Sequence, residues 1–158
     1  MIVSRKLGTS AVALMTAALA AFASYAPAQD APLKYLSHRQ DVGSVQLDRN
    51  ISGKALTIAG KTFETGLGCH APSRIEFEVA AGARELRAEA GLDDGGRGGQ
   101  VVFMVLADGK EVWRSGFVKK GAAPVAVRVP LDGVRRLALV VDSAGVFIGD
   151  HADWGGAR

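Results

Sequence analysis

One cysteine, Cys69, stands among 158 residues, so no disulfide can form within the chain and stability must come from an apolar core. Aromatic residues are also scarce, at 6% of the sequence, and the only indoles are Trp113 and Trp154. A broad stacking platform is therefore thinly provided. Helical periodicity is missing too: beyond residue 28 no stretch repeats its apolar positions every 3.6 residues, which argues against a helical domain. Charge of either sign is nearly balanced. Setting aside Arg5 and Lys6 of the leader leaves 17 basic against 16 acidic residues, which gives no electrostatic case for nucleic acid or an anionic membrane surface.

The one long apolar run, Ala11–Ala23, follows a basic start and precedes Ala26-Pro27-Ala28. Its length suits the apolar region of a secretory signal and falls short of the roughly 20 residues of a membrane span. The expectation is a signal peptide over residues 1–28 and one domain over 29–158, secreted or periplasmic, with no membrane contact in the mature form.

That domain reads as strands. Leu56–Ile58 and Lys61–Phe63 flank Ala59-Gly60, a two-residue hairpin turn. Ser73–Val79 alternates Ile75, Phe77 and Val79 against Arg74, Glu76 and Glu78, and Arg84–Gly91 does the same. Val101–Ala107 is apolar throughout, turns at Asp108-Gly109 and returns through Glu111–Arg114. Val125–Val129 and Arg135–Asp142 complete the pattern, while Tyr35–Ser37 opens it and His38–Gln46 reads as loop. About eight short strands with turn signals every 8–12 residues predict an all-β antiparallel sandwich.

Two segments break the alternation. Gly66–Ser73 (GLGCHAPS) gathers two glycines, a cysteine, a histidine and a proline and reads as a shaped turn. Asp150–Trp154 (DHADW) carries two carboxylates, an imidazole and an indole. If extended, it sets Asp150, Ala152 and Trp154 on one face and His151 and Asp153 on the other. Between them, Leu92–Gln100 has four glycines in nine residues and must be loop.

These motifs resemble the NPCBM domain, a carbohydrate-binding module related to family 51 of such modules. The likeness runs through LDRNISGKALTIAGKTFETGLGCHAPSRIEFEV (Leu47–Val79), GLDD (Gly91–Asp94), GGQVVFMVLADGKEVWRSG (Gly98–Gly116) and DHADW. It implies a galactose-binding-like jelly roll that recognises glycans without catalysis. In several relatives it also implies a structural calcium and an attached glycoside hydrolase or other enzyme.

Sugar recognition requires planar polar side chains that bond paired hydroxyls, held rigidly, beside an apolar or aromatic face. His70, Asp93, Asp94, Arg97, His151 and Asp153 supply the polar groups and Trp154 the indole, on segments carried by a rigid scaffold. Each has a plainer reading: Asp93-Asp94 before two glycines as turn chemistry, Trp154 as a core plug, the histidines as structural. For calcium, Asp48 is named first and Asp150 or Asp153 second among the six to eight oxygens required. Cys69-His70 invites a nucleophile–base reading, but neighbours in an extended segment point to opposite faces. Cys69 is expected to be buried. The alternative function is a secreted structural or protein-interaction sandwich that has lost its sugar.

Overall fold

The computed structural model describes residues 33–145 and 149–158; the leader and its cleavage site lie outside the described residues. The described residues form thirteen strands and no helix. One sheet runs β1 (Lys34–Gln40), β6 (Ser73–Glu78), β12 (Arg136–Ser143), β8 (Gln100–Ala107) and β10 (Val118–Lys119), with β9 (Lys110–Arg114) also paired to β8. The second runs β11 (Val125–Pro130), β7 (Glu85–Leu92), β13 (His151–Gly155), β5 (Gly66–His70) and β2 (Gln46–Leu47). A separate hairpin joins β3 (Leu56–Ile58) to β4 (Lys61–Phe63). Every pairing is antiparallel, giving the expected sandwich.

The alternating positions build the core. Ile75 and Phe77 of β6, Leu137, Leu139 and Val141 of β12, and Val101, Phe103 and Val105 of β8 face inward from the first sheet. Leu86, Ala88 and Ala90 of β7, Leu67 and Cys69 of β5, and Ala152 and Trp154 of β13 answer them. Trp154 is 0% exposed and meets Phe103 of the opposite sheet edge to face, so the plainer reading of this tryptophan holds. It offers no surface to a sugar.

The hairpin has the expected bounds, and both Ala59 and Gly60 adopt positive φ (47° and 79°), the requirement of a tight primed turn. Two readings are corrected. Gly66–His70 is a fully buried strand and not a turn; only the cis Ala71–Pro72 link that follows changes direction. The first strand continues through His38–Gln40, which pair with Ile75, Arg74 and Ser73, so loop begins only after Gln40.

The reason for the glycines is close approach. The outer face of the second sheet is covered by the segment that includes the hairpin. A Cβ at Gly68 would lie 2.4 Å from the Arg49 carbonyl oxygen and 2.5 Å from the Asn50 Cα. At Gly91 it would meet Ile58 at 2.4 Å, and at Gly155 the Phe63 ring at 2.6 Å. Glycine on three neighbouring strands thus makes a trough for a third layer.

Candidate functional site

β5 and β13 lie side by side with His70 opposite His151 in register. Both side chains leave the outer face of the sheet, and their rings stand 5.8 Å apart at 63°. The loop after β7 is tied to the same place: the Asp93 N–H donates to the His151 carbonyl (2.9 Å), and the Ala71 N–H to the Asp150 carbonyl (3.0 Å). Glycine lets this loop settle closely, since a Cβ at Gly96 would lie 2.9 Å from the Gly149 carbonyl oxygen. The structure therefore brings GLGCH, GLDDGG and DHADW together at one end of the sandwich.

Within that convergence the named residues divide into two groups. Asp94 clamps the hairpin turn, its two oxygens accepting the N–H groups of Ala59 (2.9 Å) and Gly60 (2.8 Å). Asp93, 1% exposed, accepts from Asn50 Nδ2 (3.0 Å) and the N–H groups of Gly95 (2.8 Å) and Thr57 (3.2 Å). Asp153 is buried beneath the same segment. Burial, then the Asp93 carboxylate beside it, push the Asp153 carboxyl up to about 9, so at neutral pH it holds a proton that Asp93 can accept. Asp93 and Asp94 therefore fasten the third layer to the sheet; Asp153, like Trp154, is 0% exposed, and neither of its oxygens is bonded.

His70, Asp150 and His151 behave differently. His70 is 5% exposed; its backbone N–H donates to Gln40 Oε1 (3.4 Å), while its Nδ1 has no partner. Asp150 is 0% exposed and neither carboxylate oxygen is bonded. Burial raises its pKa, and the two imidazoles nearby work against that rise. His151 is half-buried with Nδ1 unpartnered. Its pKa is lowered by burial first, then by His70, Lys120 and Arg97, with Asp93 opposing. Arg97 is exposed on the glycine loop, and Lys120 donates to the Gly96 carbonyl. Buried polar groups are normally bonded, and each one left open costs about 1–3 kcal/mol. Unpartnered groups on His70, Asp150 and His151 in one place are the chemistry of a site shaped for hydroxyls or ordered water.

Asn50 and Gln40 were not singled out from sequence. Asn50 also accepts the Ser52 and Lys54 N–H groups, an Asx turn for which the polar LDRNISG run is the visible signal. Gln40 joins the site only through the tertiary pairing of β1, for which sequence offers no sign.

The carboxylates named for calcium do not meet. Asp48, exposed and with φ of 57°, accepts the Gly66 N–H at one end of β5, whereas Asp150 lies beside Ala71 beyond its other end. Five strand residues separate them by roughly 16 Å, too far to share one ion. Cys69 faces the core, 0% exposed, with the Ser73 hydroxyl donating to its sulfur at 3.3 Å. His70 faces outward, so the two form no dyad.

Solved structures share this architecture. CBM51 from Clostridium perfringens GH95, in complex with methyl-galactose, superposes with a TM-score of 0.72 at 28% identity, covering 79% of this chain and 93% of that one. CBM51-2 in complex with GlcNAc, with INT domains, from Clostridium perfringens ZmpB gives 0.72 at 27%, covering 79% and 29%. The fold is that of a carbohydrate-binding module. The chain belongs to the NPCBM/NEW2 domain family, which matches residues 27–158. It is also 39% identical over 124 residues to alpha-1,3-galactosidase B of Akkermansia muciniphila, a match that takes in 75% of this chain and 16% of that protein.

Proposed function

We propose that this domain is a non-catalytic module that binds a neutral, galactose-type sugar at the end of the sandwich where His70, Asp150 and His151 converge. The observation that carries it is their set of unpartnered, largely buried polar atoms. Related modules of this fold were solved with methyl-galactose and with GlcNAc. The imidazoles supply ring nitrogens to sugar hydroxyls, Asp150 stands behind them, and Arg97 flanks the opening. With few hydrogen bonds and no exposed indole among the site's residues, affinity falls in the millimolar to tens-of-micromolar range, about 4–6 kcal/mol. Asp93 and Asp94 are engaged with the chain's own groups, which supports a binding role over catalysis.

The leader and its A-x-A site support export, to the periplasm or beyond, where a glycoside hydrolase is the natural partner of such a module. Calcium enters only as a test: melts with calcium and with chelator, in D48N and D150N separately, since the two carboxylates cannot serve one ion. The thin aromatic provision favours the second reading, a structural or protein-binding sandwich.

Calorimetry with methyl galactoside and a glycan array decide between them. His151→Ala should weaken binding at least several-fold with little change in melting temperature. Absence of any bound glycan for the wild type overturns the proposal.

A further inference from the structure

The two outer faces of this sandwich differ. The second sheet is covered by the β3–β4 segment, whereas among the described residues no layer covers the first. Yet that bare face is apolar at its centre: β8 turns Val102, Met104 and Leu106 outward and β12 turns Ala138 and Val140. Antiparallel sheets facing water ordinarily alternate apolar-in with polar-out. Here the central strands are apolar on both sides.

Side chains from neighbouring strands rise around this centre and shape two recesses. One, of about 510 Å³, is floored by Met104 and Val140 and walled by Arg39, Asp41, Arg74 and Asp142. The other, of about 380 Å³, is floored by Leu106 and Ala138 and walled by Glu76, Asp108, Arg74 and Arg136. Arg74 lines both, so they run on from one another, and its guanidinium is steadied by Glu76 at 2.8 Å. Volumes of this order suit small-molecule ligands.

We infer that the outer face of the β1-β6-β12-β8 sheet is a second binding site, a trough that takes a neutral oligosaccharide lengthwise. Three observations select that ligand. The floor is apolar, as the C–H face of a sugar ring requires. The walls carry planar guanidinium and carboxylate groups of both signs, which bond neighbouring hydroxyls in pairs without favouring an ionic ligand. The floor is also recessed: Met104 is 9% and Ala138 4% exposed, and of the large exposed hydrophobics Leu36 alone, at 39%, lines either recess. The larger recess is shallow and open, which suits a slender sugar chain lying along it. Two recesses in line imply several sugar units, unlike the single end site proposed above.

The test sets polymers beside a monosaccharide. Affinity electrophoresis in gels containing galactan, galactomannan or xylan measures the trough, and calorimetry with methyl galactoside measures the end site. Arg39→Ala and, separately, Val140→Arg, which fills the floor from a half-buried position, should each cut retention by at least one polymer several-fold. Methyl galactoside binding and the melting temperature should stay as in the wild type, and retention should persist in added salt. His151→Ala should do the reverse. Loss of monosaccharide binding with trough-dependent polymer retention would remove the end site and leave this inference standing. Three results overturn it: no polymer retained, retention indifferent to both trough variants, or retention abolished by salt. Capture of a protein by this face without any glycan also overturns it.

Discussion

Phe103 and Trp154 meet edge to face across the sandwich, their ring centroids 5.0 Å apart at 89°. Both are 0% exposed, and each belongs to a central strand of its own sheet, β8 in one and β13 in the other. Their contact pairs the two largest fully buried side chains, and it fixes the strand from which His151 projects.

Removal of that junction should be severe. Trp154→Ala is expected to cost about 3–5 kcal/mol through lost burial and the cavity left behind. Trp154→Phe keeps an aromatic contact and deletes an indole N–H that has no partner, so it should recover much of the loss. Denaturant melts check both. Equal midpoints for the alanine variant and the wild type would show that the indole is not the core's anchor.

The hairpin at Leu56–Phe63 was fully legible, because turn chemistry and alternation are local. Strands β6, β7, β8, β11 and β12 were legible for the same reason, each to within a residue or so, whereas the end of β1 was not. Gly66–His70 was misread because a glycine required for positive φ and one required for close approach look alike in sequence. Only the Arg49–Asn50 backbone lying over Gly68 distinguishes them. The candidate site was legible as three segments but not as roles. Nothing local tells that Asp94 caps a distant turn while Asp150 next to His151 is left unbonded. Trp154 could be core or platform until the register of β13 set it on the inner face.

Close packing over Gly68 gives a sharp expectation. Gly68→Ala puts a methyl group into the backbone of Arg49 and Asn50, which cannot yield as a flexible side chain would. The loss should be about 3 kcal/mol or more, the upper end of overpacking, with hydrogen-exchange protection lost first in the hairpin. Gly116→Ala is the control: it is exposed, with nothing within 4 Å of the added Cβ, and should stay within about 0.5 kcal/mol of the wild type. Similar midpoints for the two variants would remove the steric account of the third layer.

Cys69 should be inert in the native state. It is 0% exposed and donates weakly to the Ala152 carbonyl at 3.4 Å. Burial above all pushes its thiol up to about 12, the Ser73 hydroxyl partly opposing, so the reactive thiolate is negligible at neutral pH. Labelling by a thiol reagent should wait on unfolding and speed up with denaturant. Rapid labelling without denaturant would contradict the inward-facing placement.

The proton on Asp153 ties the third layer to pH. Unfolded, this carboxyl titrates near 3.8; folded, burial and the Asp93 carboxylate beside it raise it to about 9. Because the folded value is the higher, the native state keeps a proton that the unfolded chain has released throughout that interval. This contribution to stability is whole below about pH 4, falls as pH rises and is gone above about pH 9, with a slope of at most about 1.4 kcal/mol per pH unit. Asp153→Asn preserves shape, and its amide can donate to Asp93 as the protonated acid does, but it has no proton to lose. The variant should therefore gain stability relative to the wild type as pH rises from the acid side towards 9, in denaturant melts taken across that range. Parallel profiles for the two proteins would mean that Asp153 is ionised in the folded chain.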